Sequence, residues 1–221
     1  MKLGLVGGTF DPIHLGHLDI ALAARRALDL DEVWLVPSAT PPHRDLPHVS
    51  AQHRLAMVTL AVEPHEGLAA SDIELGGAGP AYTVDTIDWL LRNGRVGRDV
   101  FFITGADAFA TIATWKDYPR LLDRCHFVVV SRPGAPVGRL RNVMPALADR
   151  MVDAGSAIPD SAAIVLIDAP TAPVSSTDVR AACRAGAPLA DMVPPAVESY
   201  IVRHGLYEWP GPSENERKGA A

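Results

Sequence analysis

Residues 2–17 read KLGLVGGTFDPIHLGH. An apolar run, Leu3 to Val6, stops at Gly7-Gly8. Thr9, Phe10, Asp11 and Pro12 follow, and then His14 and His17 with Gly16 between them. Beyond His17 the apolar spacing turns helical. The order strand, glycine turn, histidine pair, helix places backbone N–H groups and two imidazoles at the mouth of a parallel sheet, where phosphates bind. Gly7 and Gly8 let the chain turn sharply and let main chain approach a ligand with no Cβ in the way. With a helix beginning near Leu15, His14 and His17 at i and i+3 face the same way. An imidazole donates a hydrogen bond or carries positive charge near neutral pH. The pair therefore suits the stabilisation of charge in an in-line displacement at phosphorus. Alone, an H-x-x-H pair is a surface feature or half a zinc site. Its setting in G-G-T-F-D-P-x-H-x-G-H favours the phosphate.

Outward from this stretch, strand-like and helix-like segments alternate. A strand over Leu3–Val6 leads to a helix over Leu15–Leu28, and Val33–Pro37 is the second strand. Ser50 is expected to cap a helix through Val62. A short strand near Leu68–Ser71 precedes the loop GGAGP, and Thr83 is expected to cap a helix that ends at Asn93-Gly94. Strands follow over Val100–Thr104 and Phe127–Val130. A helix is expected around Leu140–Met151 and the last strand over Ala163–Ile167. Ser175 or Ser176 opens a helix toward Arg184, and Pro195–His204 forms the final one. Apolar runs without alternation imply strands buried on both faces. With right-handed crossovers the fold class is α/β: a Rossmann-like open parallel sheet with helices on both faces. Ligands bind past the carboxyl ends of such strands. Gly7–His17, Pro37–Arg44, Gly105–Asp107 and Ser175–Arg180 all fall there.

At 221 residues and 48% apolar content, we expect a single domain over residues 1–209. The polar segment 210–221 is expected to be disordered. The net charge is −6, and no more than two basic residues are adjacent, which argues against a nucleic-acid groove. No secretory leader or membrane-spanning run is read, so a cytoplasmic protein without a membrane partner is expected. Cys125 and Cys183 read as packed thiols of a reducing compartment. His48, His53 and His65 have no ligand-like spacing with His43, so no zinc site is expected; His126 and His204 read as structural. There is no G-x-G-x-x-G after the first strand and no G-x-x-x-x-G-K-[ST] anywhere. Asp11 reads as a structural turn residue, and Arg54 as a solvated helix position.

A second motif stands near the other end, Ser175-Ser176-Thr177-Asp178-Val179-Arg180. Helix N–H groups, hydroxyls and a guanidinium there can converge on one polyphosphate. With GGTFDPIHLGH at the start, the chain resembles the HxGH nucleotidyltransferases over nearly its whole length to Trp209. The likeness is to the form carried by bacterial nicotinate-mononucleotide adenylyltransferases. The resemblance implies ATP and nicotinate mononucleotide as substrates, with Mg²⁺ accompanying ATP. It makes His14, His17 and Arg180 catalytic. It places ATP against Gly8, Thr9, Phe10, His17 and Ser176, with Thr177 and Arg180 on the β- and γ-phosphates. The G-x-D element, Gly105 and Asp107, contacts the adenosine ribose. The mononucleotide falls to Thr9, Phe10, His43, Arg44, Thr83 and Trp115. Trp115 stacks on the pyridine ring, and main chain near Thr83 reads the nicotinate carboxylate. The family often has lysine where this chain has Arg44, which keeps the charge and changes the donor geometry. A phosphopantetheine adenylyltransferase shares both motifs but is shorter, without the middle segment seen here. A preference for the amide mononucleotide, and a nucleotide-binding module without turnover, are the other readings. The oligomeric state is open, a homo-oligomer included.

Overall fold

The structure, a computed structural model, describes residues 1–39, 46–76 and 81–210. The elements run β1 (Leu3–Gly8), α1 (Leu15–Leu28), β2 (Glu32–Pro37), α2 (Ala51–Val62), β3 (Leu68–Ala70), α3 (Thr83–Arg92), β4 (Val100–Gly105), α4 (Ala106–Phe109), β5 (His126–Val130), α5 (Leu140–Val143), β6 (Met151–Asp153), β7 (Ile164–Ile167), α6 (Ser176–Ala185) and α7 (Pro195–His204). The seven strands form one sheet in the order β3-β2-β1-β4-β5-β7-β6. Every neighbouring pair is parallel.

β4, β5 and β7 are buried from end to end, hence their near-continuous apolar sequences. Successive side chains still point to opposite faces. Val6, Leu35, Ile103 and Val128 pack in one core with α1, α2, α6 and α7. Leu5, Val36, Phe102 and Phe127 pack in a second core with α3 and the turns from Phe109 to Leu122. β2 lies on one side of β1 and β4 on the other, so the winding reverses at β1. The crevice at the carboxyl ends of β1 and β4 is where such a sheet takes ligands. Cys125 and Cys183 are buried free thiols, as expected. Among the described residues no helix is long and apolar enough to cross a membrane.

Two expectations about the elements fail. The segment Leu140–Met151 is not one helix: α5 ends at Val143, Met144 takes φ −131° and ψ 58°, and Pro145 opens a 3-10 segment to Arg150. A proline disfavours helical backbone in the residue before it and has no N–H to extend the ladder. The chain then pairs as β6, an edge strand with Met151 opposite Ile164. Three residues are too few to display a strand period. The N-cap of α3 is Tyr82, with Thr83 as the first helical residue and no side chain closing the cap. The last two segments match: Ser175 caps α6 and Gly186 ends it with φ +62°.

Candidate active site

β1 passes to α1 through Thr9–His14, and the backbone of this loop is gripped from several elements. The Gly8 carbonyl accepts from Ser38 N at 2.9 Å. The Thr9 carbonyl accepts from Arg54 Nη1 at 2.6 Å. The Asp11 carbonyl accepts from Arg180 Nη1 at 2.7 Å, and the Pro12 carbonyl from Ser176 Oγ at 2.8 Å. At the start of α1, Leu15 N donates to the Met192 carbonyl at 2.9 Å. The grip is needed because Phe10 is buried with φ +49°, a conformation that strains a bulky residue.

His14 is the N-cap of α1 and His17 stands in its first turn. Their rings stack with centroids 3.7 Å apart and planes 27° apart. Phe10 meets the His17 ring edge-on at 4.9 Å. His14 N donates to His17 Nδ1 at 3.2 Å. A ring nitrogen that accepts is unprotonated, so neutral His17 carries its proton on Nε2. His14 is buried, and burial first, then the nearby Arg132 charge, depress its pKa to about 3; Asp178 opposes them weakly. At neutral pH His14 is therefore an uncharged imidazole.

The second motif lies directly against this loop. Ser175 Oγ accepts from Asp178 N at 3.2 Å, and the Asp178 carboxylate accepts from Ser175 N at 3.0 Å. This closes a capping box that leaves Ser176, Thr177 and Arg180 to face the first motif. Arg180 Nη2 donates to Thr177 Oγ1 at 3.2 Å while Nη1 holds the Asp11 carbonyl. Ser176 and Arg180 thus bring the second motif onto the loop that leads into His14 and His17, from the other end of the chain.

Gly105 and Asp107 border the same crevice. Gly105 is the N-cap of α4, and a Cβ on it would stand 2.6 Å from Asp107 Oδ1 and 2.9 Å from Arg132 Cγ. A Cβ there would crowd the exposed Asp107 carboxylate and the Arg132 side chain. Arg132 follows β5; its Nη2 donates to the Val174 carbonyl at 3.0 Å, and its guanidinium occupies the space a Cβ on Gly16 would need. It joins the β4 turn, the start of α1 and the approach to α6.

Trp115 is half-buried against the second core, edge-on to Phe102 at 5.9 Å, with Nε1 donating to Thr111 Oγ1 at 3.3 Å. Its neighbour Lys116 binds Asp85 at 2.8 Å and sits 4.4 Å over the Tyr82 ring. The tryptophan segment is so tied to the first turn of α3, where Thr83 lies. His43 and Arg44 lie outside the described residues.

Arg54 corrects the sequence reading. Expected on a solvated face, it is 1% exposed, donating to the Thr9 carbonyl and, at 3.2 Å, to the Ala39 carbonyl. Burial pulls its pKa down from the usual arginine value, and the nearby Asp11 carboxylate resists that. The sequence carries the signal: Arg54 stands at i with Met57, Val58 and Ala61 at i+3, i+4 and i+7, all buried. Arg132 and Tyr207 also reach the loop region, and neither carries a local motif that would mark it in the sequence.

The profile of the cytidylyltransferase-like family matches residues 5–182. A probable nicotinate-nucleotide adenylyltransferase of Desulfatibacillum aliphaticivorans is 40% identical over 218 residues, which cover 94% of this chain and 100% of that protein. One of Pseudomonas fluorescens is 41% identical over 214 residues, covering 95% and 98%. Among solved structures, the Plasmodium falciparum nicotinic acid mononucleotide adenylyltransferase complexed with NaAD superposes with a TM-score of 0.72 at 18% identity, covering 94% of this chain and 98% of the other. The same protein complexed with APC gives 0.70. At that identity the superposition speaks for the fold.

Proposed function

The chain belongs to the nicotinate-nucleotide adenylyltransferases of the cytidylyltransferase-like family, and on that premise we propose how its residues carry the adenylyl group of ATP to nicotinate mononucleotide. The products are nicotinate adenine dinucleotide and pyrophosphate, a step in NAD biosynthesis. The observation that carries the assignment of roles is the meeting of the two motifs, Ser176 on Pro12 across 164 residues of sequence.

The mononucleotide phosphate is already an anion, so its oxygen attacks the α-phosphorus without a strong general base. Pyrophosphate leaves in line with it. Catalysis is then positioning and stabilisation of charge. His17, with its proton on Nε2, donates to an α-phosphate oxygen where charge develops. His14, uncharged and stacked on His17, holds that ring and lends a second polar edge. Thr177 and Arg180 take the β- and γ-phosphates, the part that departs. Gly8, Thr9 and Phe10 offer main chain to both substrates. Asp107 accepts from the ribose hydroxyls. Trp115 stacks on the electron-poor pyridine ring, and the N–H groups at Thr83 favour its carboxylate over the uncharged amide.

Mg²⁺ arrives on ATP as part of the substrate. Among the described residues no group of three or more His, Cys, Asp or Glu is placed to hold a metal ion. A cation accompanying ATP would be held by phosphate oxygens and water. Its chemistry is to neutralise charge on the transferring and departing phosphates.

The test is pyrophosphate release from Mg-ATP with nicotinate mononucleotide, nicotinamide mononucleotide and phosphopantetheine side by side. Fast turnover with the first alone is expected. Equal turnover with the amide removes the role of Thr83 in selection. Turnover with phosphopantetheine alone, or ATP binding without turnover, overturns the assignment.

A further inference from the structure

Asp11 does nothing in the chemistry above, yet its carboxylate is buried and every side of it is used. Oδ1 accepts from the Tyr207 hydroxyl at 3.0 Å. Oδ2 accepts from His48 N at 2.8 Å and faces His48 Nδ1 at 2.9 Å. Its own carbonyl holds Arg180. Tyr207 comes from the far end of the chain, 196 residues away. It is buried in the turn after α7 with φ +57° and ψ 36°, strained backbone for an aromatic residue. Burial, then the Asp11 charge, push its ionisation far above the ordinary tyrosine range, so its hydroxyl is a permanent donor. On the other side Arg54, which holds the Thr9 carbonyl, feels both Asp11 and Tyr207.

A buried carboxylate is costly even when satisfied, and an apolar pair of the same shape would serve stability as well. A charge kept here, on the residue whose carbonyl holds Arg180 and three residues before His14, points to a task other than stability. We propose that the Tyr207–Asp11 hydrogen bond positions the reacting groups: Tyr207, with His48, fixes Asp11, and through it the Arg180 guanidinium and the backbone that leads into His14 and His17. Both are positioning residues and neither touches substrate. The kinetic part of the inference rests on the adenylyl-transfer reading. Loosening such a support harms the transition state, whose geometry is exacting, more than the bound ground state.

The experiment compares Tyr207→Phe, Asp11→Asn and the double variant with the wild-type enzyme. Tyr200→Phe is the control; it removes a hydroxyl that faces His53 of α2 at 3.0 Å, away from Asp11. Tyr207→Phe is expected to lower kcat about tenfold, with KM for both substrates within about twofold. The double variant is expected to be no slower than Asp11→Asn alone, as for two residues acting as one unit. The control keeps wild-type kcat. A Tyr207→Phe enzyme with unchanged kcat, or losses that multiply in the double variant, overturns the proposal. A readout free of turnover is ring ¹⁵N NMR. The His14 and His17 signals are expected to move in Tyr207→Phe while that of His126 stays, and unmoved signals overturn the proposal. Wild-type protein that turns over no mononucleotide sinks the enzymatic reading and leaves the NMR test standing. Where Asp11→Asn does not fold, Tyr207→Phe decides alone.

Discussion

His14 and His17 share a motif and a stacking contact, but the fold gives them separate chemistry. His17 accepts a backbone N–H at Nδ1 and so presents a donor at Nε2. Loss of one preorganised donor at a developing charge costs roughly 10²–10³ in rate. His17→Ala is expected to lower kcat by about that factor, and near-normal turnover in pyrophosphate release would remove the role. His14 carries a pH signature. Its pKa falls from 6.5 to about 3 on folding, so between those values the unfolded chain binds a proton that the folded chain refuses. Its contribution leaves stability intact above the unfolded pKa and erodes it as pH falls toward the folded one. His126, also lowered by burial, adds the same sign. In His14→Gln the unfolding free energy should fall less steeply between about pH 6.5 and 4 than in the wild type; denaturant titrations at stepped pH measure it, and equal slopes would mean that His14 is protonated in the fold. The spacing of the two histidines was legible in the sequence. Which nitrogen carries the proton, and which ring stays uncharged, was not, because burial and the Arg132 charge come from elsewhere in the fold.

Whole elements read well wherever they carried their own stop signals. α1 ends where its apolar stripe does, with Asp29 at φ +50°; α6 and α7 end at Gly186 and Gly205. α5 read poorly because its apolar residues continue past Pro145 and hide the break. α2 carries the clearest test at this scale. It brings Arg54 beneath the turn after β1, where the guanidinium satisfies two part-buried carbonyls. Arg54→Met keeps the length and leaves both carbonyls, and the nearby Asp11 charge, without that partner. It is expected to cost about 2–4 kcal/mol, read from the shift of the urea midpoint. A cost near zero would mean that Arg54 fills space and no more. The period of α2 put position 54 on its buried stripe, and the charge of arginine argued the other way. Polar targets decided between them, the Thr9 and Ala39 carbonyls, and those belong to the loops after β1 and β2.

Across the whole molecule, the site exists only when β1, α2, the end of β4 and α6 are all in place. Ligand that binds this assembly binds the folded chain alone. Mg-ATP at about 100 times its Kd is therefore expected to add about 2.7 kcal/mol of stability, seen as a concentration-dependent rise in Tm, and a Tm indifferent to Mg-ATP would place the nucleotide elsewhere or nowhere. By itself the sequence determined the alternation of strands and helices, the parallel sheet and the two motifs at its ends. Hydrophobic period, glycine turns and capping residues act over a few neighbours and can be read along the chain. Only the tertiary structure decided which arginines serve the site, that His14 is uncharged, and that Tyr207 closes on Asp11. Burial and charge pairing are set by segments that meet in space, here up to 196 residues apart, and no local pattern records such a meeting.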